Sequence, residues 1–161
     1  MNNKPLLFNK IQGKKGIEID IANFDFENYK TKIELMKKIC DDSKGIGLAS
    51  VQVGLTEHFF IAKRENSKEY ELFFNTKIIE ASEETVVTTE GCLSIPKIFL
   101  PIKRHKFITI KWFDGNKENE ENLTEDFSII VQHELSHLEG KTLFDLTLLN
   151  RQQKRDILKR F

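Results

Sequence analysis

The sequence predicts an α+β fold, with mostly antiparallel sheets around one central helix. Three observations carry that reading. Stretches rich in β-branched and aromatic residues at 58–64, 70–80, 84–90 and 107–113 succeed one another with polar turns between them, and strands joined this way pair antiparallel. From Phe127 to Leu138 the chain is apolar over much of a helical circumference, as a helix passing through a core must be. That same helix carries His133-Glu134-Leu135-Ser136-His137, an HExxH arrangement. Residues four apart lie on one helix face, so both imidazoles can bind one cation while Glu134 stands beside it, free to move protons in a hydrolysis.

With 161 residues, of which 39% are apolar and 13 are Phe, the chain is expected to be a single catalytic domain over 1–161 that buries its core without disulfides. Lys plus Arg and Asp plus Glu number 25 each, which argues against a protein built to coat nucleic acid or an anionic membrane. No apolar run approaches membrane-spanning length, and the opening MNNKPLLFNKIQGKKG lacks the apolar core of a signal peptide. A cytoplasmic location is therefore expected. There Cys40 and Cys92 stay reduced, which favours a metal or catalytic role over a disulfide.

Residues 1–24 show no strong period and read as an irregular arm or short strands over the body. From Phe26 to Asp42, Tyr29, Ile33, Met36, Ile39 and Cys40 recur at helical spacing, predicting an amphipathic helix on which Cys40 is a small buried residue. Lys44-Gly45-Ile46-Gly47 ends it, and the glycines let backbone approach a ligand. Gln52 follows in an apolar segment, where hydrogen bonding to neighbouring backbone is its default role. The strand candidates then offer Phe59, Phe60, Ile61, Leu72, Phe73, Phe74, Ile78, Ile79, Val86 and Val87 to the core, with His58 at an edge. Thr89-Glu90-Gly91-Cys92-Leu93-Ser94-Ile95-Pro96 reads as irregular, fixed backbone suited to placing a thiolate. Ile108, Ile110 and Trp112 share one strand face, and Asp114-Gly115 marks a hairpin leading through an acidic return strand to the metal helix. Thr124 or Asn122 can cap that helix and Gly140 ends it. Residues 150–161 form a basic helix that opens on an Asn150/Gln153 capping pair.

Two histidines on a helix need a third ligand if a catalytic metal is to keep an open position. The HExxHxxGxxH pattern fails at Leu143, and no Glu follows Glu139, so the ligand comes from upstream or from Asp145 or Asp156. Upstream, Cys92 ranks first because a thiolate is a strong donor to Zn²⁺ or Fe²⁺. His105, set among Lys103, Arg104 and Lys106, ranks below it.

Three segments together, GIGLASVQVG, EGCLSIP and QHELSHLEG, resemble in order and spacing the signature motifs of the peptide deformylases. The resemblance implies Cys92, His133 and His137 as metal ligands, with Fe²⁺ as the ion and Zn²⁺, Ni²⁺ or Co²⁺ as replacements. It implies Glu134 as general base and then acid, and Gln52 with the Leu93 N–H as the oxyanion site. The substrate it implies is a formyl-Met peptide, deformylated to formate and a free amine. Ile46, Gly47, Phe127, Ile129 and Ile130 are the candidate contacts for the methionine.

The chain departs from the family pattern at four places, one of them the early Pro-Arg-Leu-type segment of many members, which residues 1–24 lack. Ser136 stands where Asp is usual, Val51 where Pro is common, and Lys97-Ile98-Phe99 where an arginine commonly follows EGCLSIP. Other readings compete with an active deformylase. A homologue that has lost turnover and only binds formylated N termini or a partner is disfavoured by the retained Glu134 and Gln52, while a weakened deformylase that acts on a different substrate stays as an alternative. A metallopeptidase is disfavoured by the missing downstream ligand. The basic helix is a candidate ribosome contact; neither membrane nor specific nucleic-acid binding is expected.

Overall fold

The computed structural model describes residues 1–161. The chain runs α1 (Phe8–Ile11), α2 (Glu27–Asp42), β1 (Gly47–Ala49), β2 (Phe59–Ala62), β3 (Glu71–Ala81), β4 (Thr85–Cys92), β5 (Ile95–His105), β6 (Ile108–Phe113), β7 (Glu118–Leu123), α3 (Glu125–Leu138), α4 (Leu143–Leu146) and α5 (Arg151–Leu158). Short 3₁₀ turns lie at Ile21–Asn23 and Ser50–Val53. One antiparallel sheet has the order β1-β2-β3-β6-β7, and β4 and β5 form a second, two-stranded sheet. The predicted α+β architecture is the one observed.

α3 separates the two sheets. Its Val131, Leu135 and Leu138 pack with Phe60, Phe73, Ile110 and Trp112 of the larger sheet. The opposite face of that sheet is closed by α2, whose Ile33, Met36, Ile39 and Cys40 meet Leu48, Phe59, Ile61 and Phe74. Adjacent strand residues point to opposite sheet faces, so the pairs Phe59-Phe60 and Phe73-Phe74 supply one ring to each layer. Phe60 stacks on Phe73 at 4.6 Å, and Phe59 on Phe74 at 5.0 Å. A third apolar group, Ile95, Leu100, Ile102, Leu143 and Phe144, ties the small sheet to α4.

Several expectations need correction. The segment 89–96 is irregular only at its Leu93-Ser94 turn: up to Cys92 it belongs to β4, and from Ile95 it belongs to β5, which pairs with β4 from Thr85↔His105 to Cys92↔Ile95. Pro96 and Pro101 are tolerated because a two-stranded sheet leaves each strand one edge without partners. Ile78, Ile79, Val86 and Val87 are exposed rather than core. The period-2 pattern identified their strands, but those stretches reach past the covering helices. His58 is half-buried instead of lying at an open edge, and its Nδ1 has no partner.

The arm over residues 1–24 is held by specific bonds. The Asn2 and Leu6 N–H groups donate to the carbonyls of Val53 and Gln52, and the Phe8 N–H donates to that of Ser94. It thereby staples the 3₁₀ turn to the tip of the β4–β5 hairpin. At the other end of the chain, the Asn150/Gln153 capping box forms with two bonds of 2.9 Å, and α5 buries no residue.

Candidate metal centre

α3 presents His133 and His137 on one face, as their spacing requires, and β4 brings Cys92 to the same point. Cys92 Sγ lies 3.3 Å from His137 Nε2, the two Nε2 atoms are 3.2 Å apart, and all three donors fall within 4.8 Å of one another. In a tetrahedral site with ordinary zinc bond lengths, two nitrogens sit about 3.3 Å apart, and a nitrogen and a sulfur about 3.6 Å. Two imidazole nitrogens and a thiolate converging at these separations fit a divalent ion with a position to spare. His105, the competing ligand, is bonded to the Ser82 carbonyl at 2.7 Å and takes no part.

The surroundings orient these donors. His133 Nδ1 lies 2.9 Å from Glu90 Oε1, which fixes the ring so that Nε2 faces the site. Glu90 is in turn held by Arg104 through two bonds of 2.9 Å, and the pair is buried, 8% and 6% exposed. Burial alone would raise the Glu90 pKa, but His133 and Arg104 outweigh it and bring it to about 2. Arg104 also donates to Ser136 Oγ at 2.9 Å, and that hydroxyl donates to the Gln132 carbonyl at 2.8 Å. Ser136 thus joins the same network as a neutral member. For Cys92, burial pushes the thiol upward, yet the two histidines prevail and hold its pKa well below the ordinary value.

Glu134 lies 4% exposed against Gly47, and its Oε2 has no partner. Burial, partly offset by the histidines, raises its pKa, which suits a group that must both accept and return a proton. Gln52 is aimed rather than passive: its Oε1 accepts from the Ala49 N–H at 2.9 Å, and its Nε2 donates to Ser94 Oγ at 3.0 Å, 3.6 Å from Cys92 Sγ. Leu93 follows Cys92 in the turn between β4 and β5.

Beside these groups opens a cleft of about 1090 Å³ whose walls include Ile46, Gly47, Leu93, Ile129 and Ile130. Ile129 and Ile130 precede His133 by four and three residues, so they share its face. Phe127 does not belong with them. Six residues before His133 it points elsewhere, packing near Phe73 at 6.1 Å and beneath the Arg64 guanidinium at 4.4 Å. Sequence reasoning also missed the arm, whose Asn3, Lys4, Pro5 and Leu7 line the cleft, and the Glu90–Arg104 pair. The placement of Glu90 two residues before Cys92, on the same strand face, was the available signal for the pair.

A helix with two imidazoles and a buried carboxylate, completed by a cysteine from a hairpin, defines a metallohydrolase. The family model described as polypeptide deformylase matches residues 10–154. A peptide deformylase of Karelsulcia muelleri is 38% identical over 144 residues, covering 85% of this chain and 73% of the relative. The crystal structure of the Thermotoga maritima peptide deformylase superposes with a TM-score of 0.84 at 32% identity, covering 92% of this chain and 99% of the other. That of Plasmodium falciparum gives 0.86 at 29% identity, covering 97% and 93%. The chain belongs to the polypeptide deformylase family and is an enzyme of that class.

Proposed function

We propose that the enzyme removes formyl from the N-terminal formyl-methionine of nascent proteins, with Cys92, His133 and His137 holding Fe²⁺, or Zn²⁺, Ni²⁺ or Co²⁺ in its place. The observation that carries this reading is the convergence of the three donors beside a buried, unpartnered glutamate oxygen. Bound there, the ion supplies Lewis acidity toward water and the formyl carbonyl.

The protein groups do the rest. Glu134 takes a proton from the attacking water and later delivers it to the amine nitrogen, which leaves poorly as an anion. Gln52 Nε2 and the Leu93 N–H donate to the formyl oxygen as negative charge develops on it; one such donor is worth about 2.7–4 kcal/mol in acyl-transfer sites. Ile46, Gly47, Ile129 and Ile130 hold the methionine side chain. The reaction acts on chains as they are made, which fits a cytoplasmic enzyme whose basic α5 contacts the ribosome; no helix is long and apolar enough to cross a membrane.

Formate release from a formyl-Met peptide by anaerobically prepared ferrous protein tests the reading. Glu134→Gln is expected to lose about a thousandfold in kcat while retaining metal, and Cys92→Ser to lose metal. No formate at any metal loading would reject deformylation. Cleavage of internal peptide bonds would establish a metallopeptidase instead.

A further inference from the structure

We propose that the cleft selects formyl-Met chains bearing acidic side chains shortly after the methionine. This deepens, and rests on, the deformylase reading. Three lysines from separate segments line the one cleft: Lys4 on the arm, Lys44 after α2 and Lys97 at the start of β5. All are exposed, and none is in an ion pair.

The acidic groups of the same cleft do not neutralise them. Asp42 is held by Lys38 at 2.7 Å, Glu90 is bound to Arg104, and Glu134 is buried, so Asp126 is the one exposed, unpaired carboxylate. A chain with zero net charge therefore keeps a local positive excess where its substrate must leave the site. Lys44 and Lys97 moreover adopt left-handed backbone, φ +56° and +63°, which is unfavourable for a residue with a side chain. Lys44 occupies the position after the α2 cap, with the Gly45 N–H bonded back to the Cys40 carbonyl, where glycine is the usual choice. With the methionine held beside Glu134, the following residues pass out between these ammonium groups, which attract carboxylates and repel other cations.

The test compares kcat/KM for formyl-Met-Ala-Asp-Asp, formyl-Met-Ala-Ser-Ser and formyl-Met-Ala-Lys-Lys. Acidic peptides are expected to lead the neutral one by about two- to fivefold per carboxylate at low salt, with the basic peptide last. The preference should fade at about 0.5 M NaCl. In the Lys44→Glu/Lys97→Glu double variant the acidic-to-neutral ratio should invert. A ratio of one or less in the parent, or one unchanged in the double variant, overturns the inference while turnover of the neutral peptide leaves the deformylase reading standing. No formate from any of the three peptides fails both.

Discussion

Replacing Gly47 with alanine tests what the position of Glu134 is worth, provided the loss is read in kcat, because Gly47 also borders the proposed methionine site. A Cβ on Gly47 would stand 2.6 Å from Glu134 Oε1, 3.1 Å from Cδ and 3.2 Å from Cγ. Gly47 has no positive φ, so the backbone accepts alanine and the conflict falls on the carboxylate. Restoring an ordinary contact moves Oε1 by about 0.8 Å, and a misplacement near 1 Å at a reacting group costs about a hundredfold. Gly47→Ala is therefore expected to lose about thirty- to a hundredfold in kcat for formate release at saturating peptide. Metal content should stay at parent level, because the three donors are untouched. Stability should fall by no more than about 1–3 kcal/mol, the usual cost of one added methyl in a packed site. Turnover within about threefold of the parent would refute the claim that this contact sets the carboxylate. Loss of metal or of the fold would refute its localisation to Glu134.

Other consequences follow from the groups around the centre. Glu90→Ala leaves Arg104 as a buried unpaired charge and frees the His133 ring, so urea unfolding should show a loss of about 3–5 kcal/mol. Chelator competition on the same variant should show metal held about ten- to a hundredfold more weakly; parent values in both would refute the network. Because the folded pKa of Glu90, about 2, lies below its ordinary 4.5, its contribution is complete above about pH 5 and disappears as pH falls toward 2. The stability difference between the parent and Glu90→Gln, both stripped of metal, should accordingly shrink by about 3 kcal/mol across that window, and a constant difference would contradict the assignment. Neutralising Arg151, Lys154, Arg155, Lys159 and Arg160 with glutamine should abolish salt-sensitive cosedimentation with ribosomes; unchanged cosedimentation would rule out α5 and the residues after it as the contact.

What the sequence determined by itself was local. A helix repeats every 3.6 residues, so the spacing of His133 and His137 already decided that they face the same way, and the positions of Ile129 and Ile130 put them alongside. Alternation in β6 marked Ile108, Ile110 and Trp112 as buried, and they are. The chemistry of sulfur made Cys92 the strongest third ligand, but its meeting with a ring 45 residues away depended on how the β4–β5 hairpin seats against α3. The same dependence explains the errors. Phe127 was apolar and near the site along the chain, yet the helix turns it toward Phe73. Ile78 and Val87 alternate like core residues, but nothing in their own neighbourhood tells where the covering helices stop. Tertiary structure alone bonded the Leu6 and Phe8 N–H groups to the Gln52 and Ser94 carbonyls and set Arg104 between Glu90 and Ser136. Those contacts join residues whose local patterns carry no information about one another, and only packing of the whole chain brings them within bonding distance.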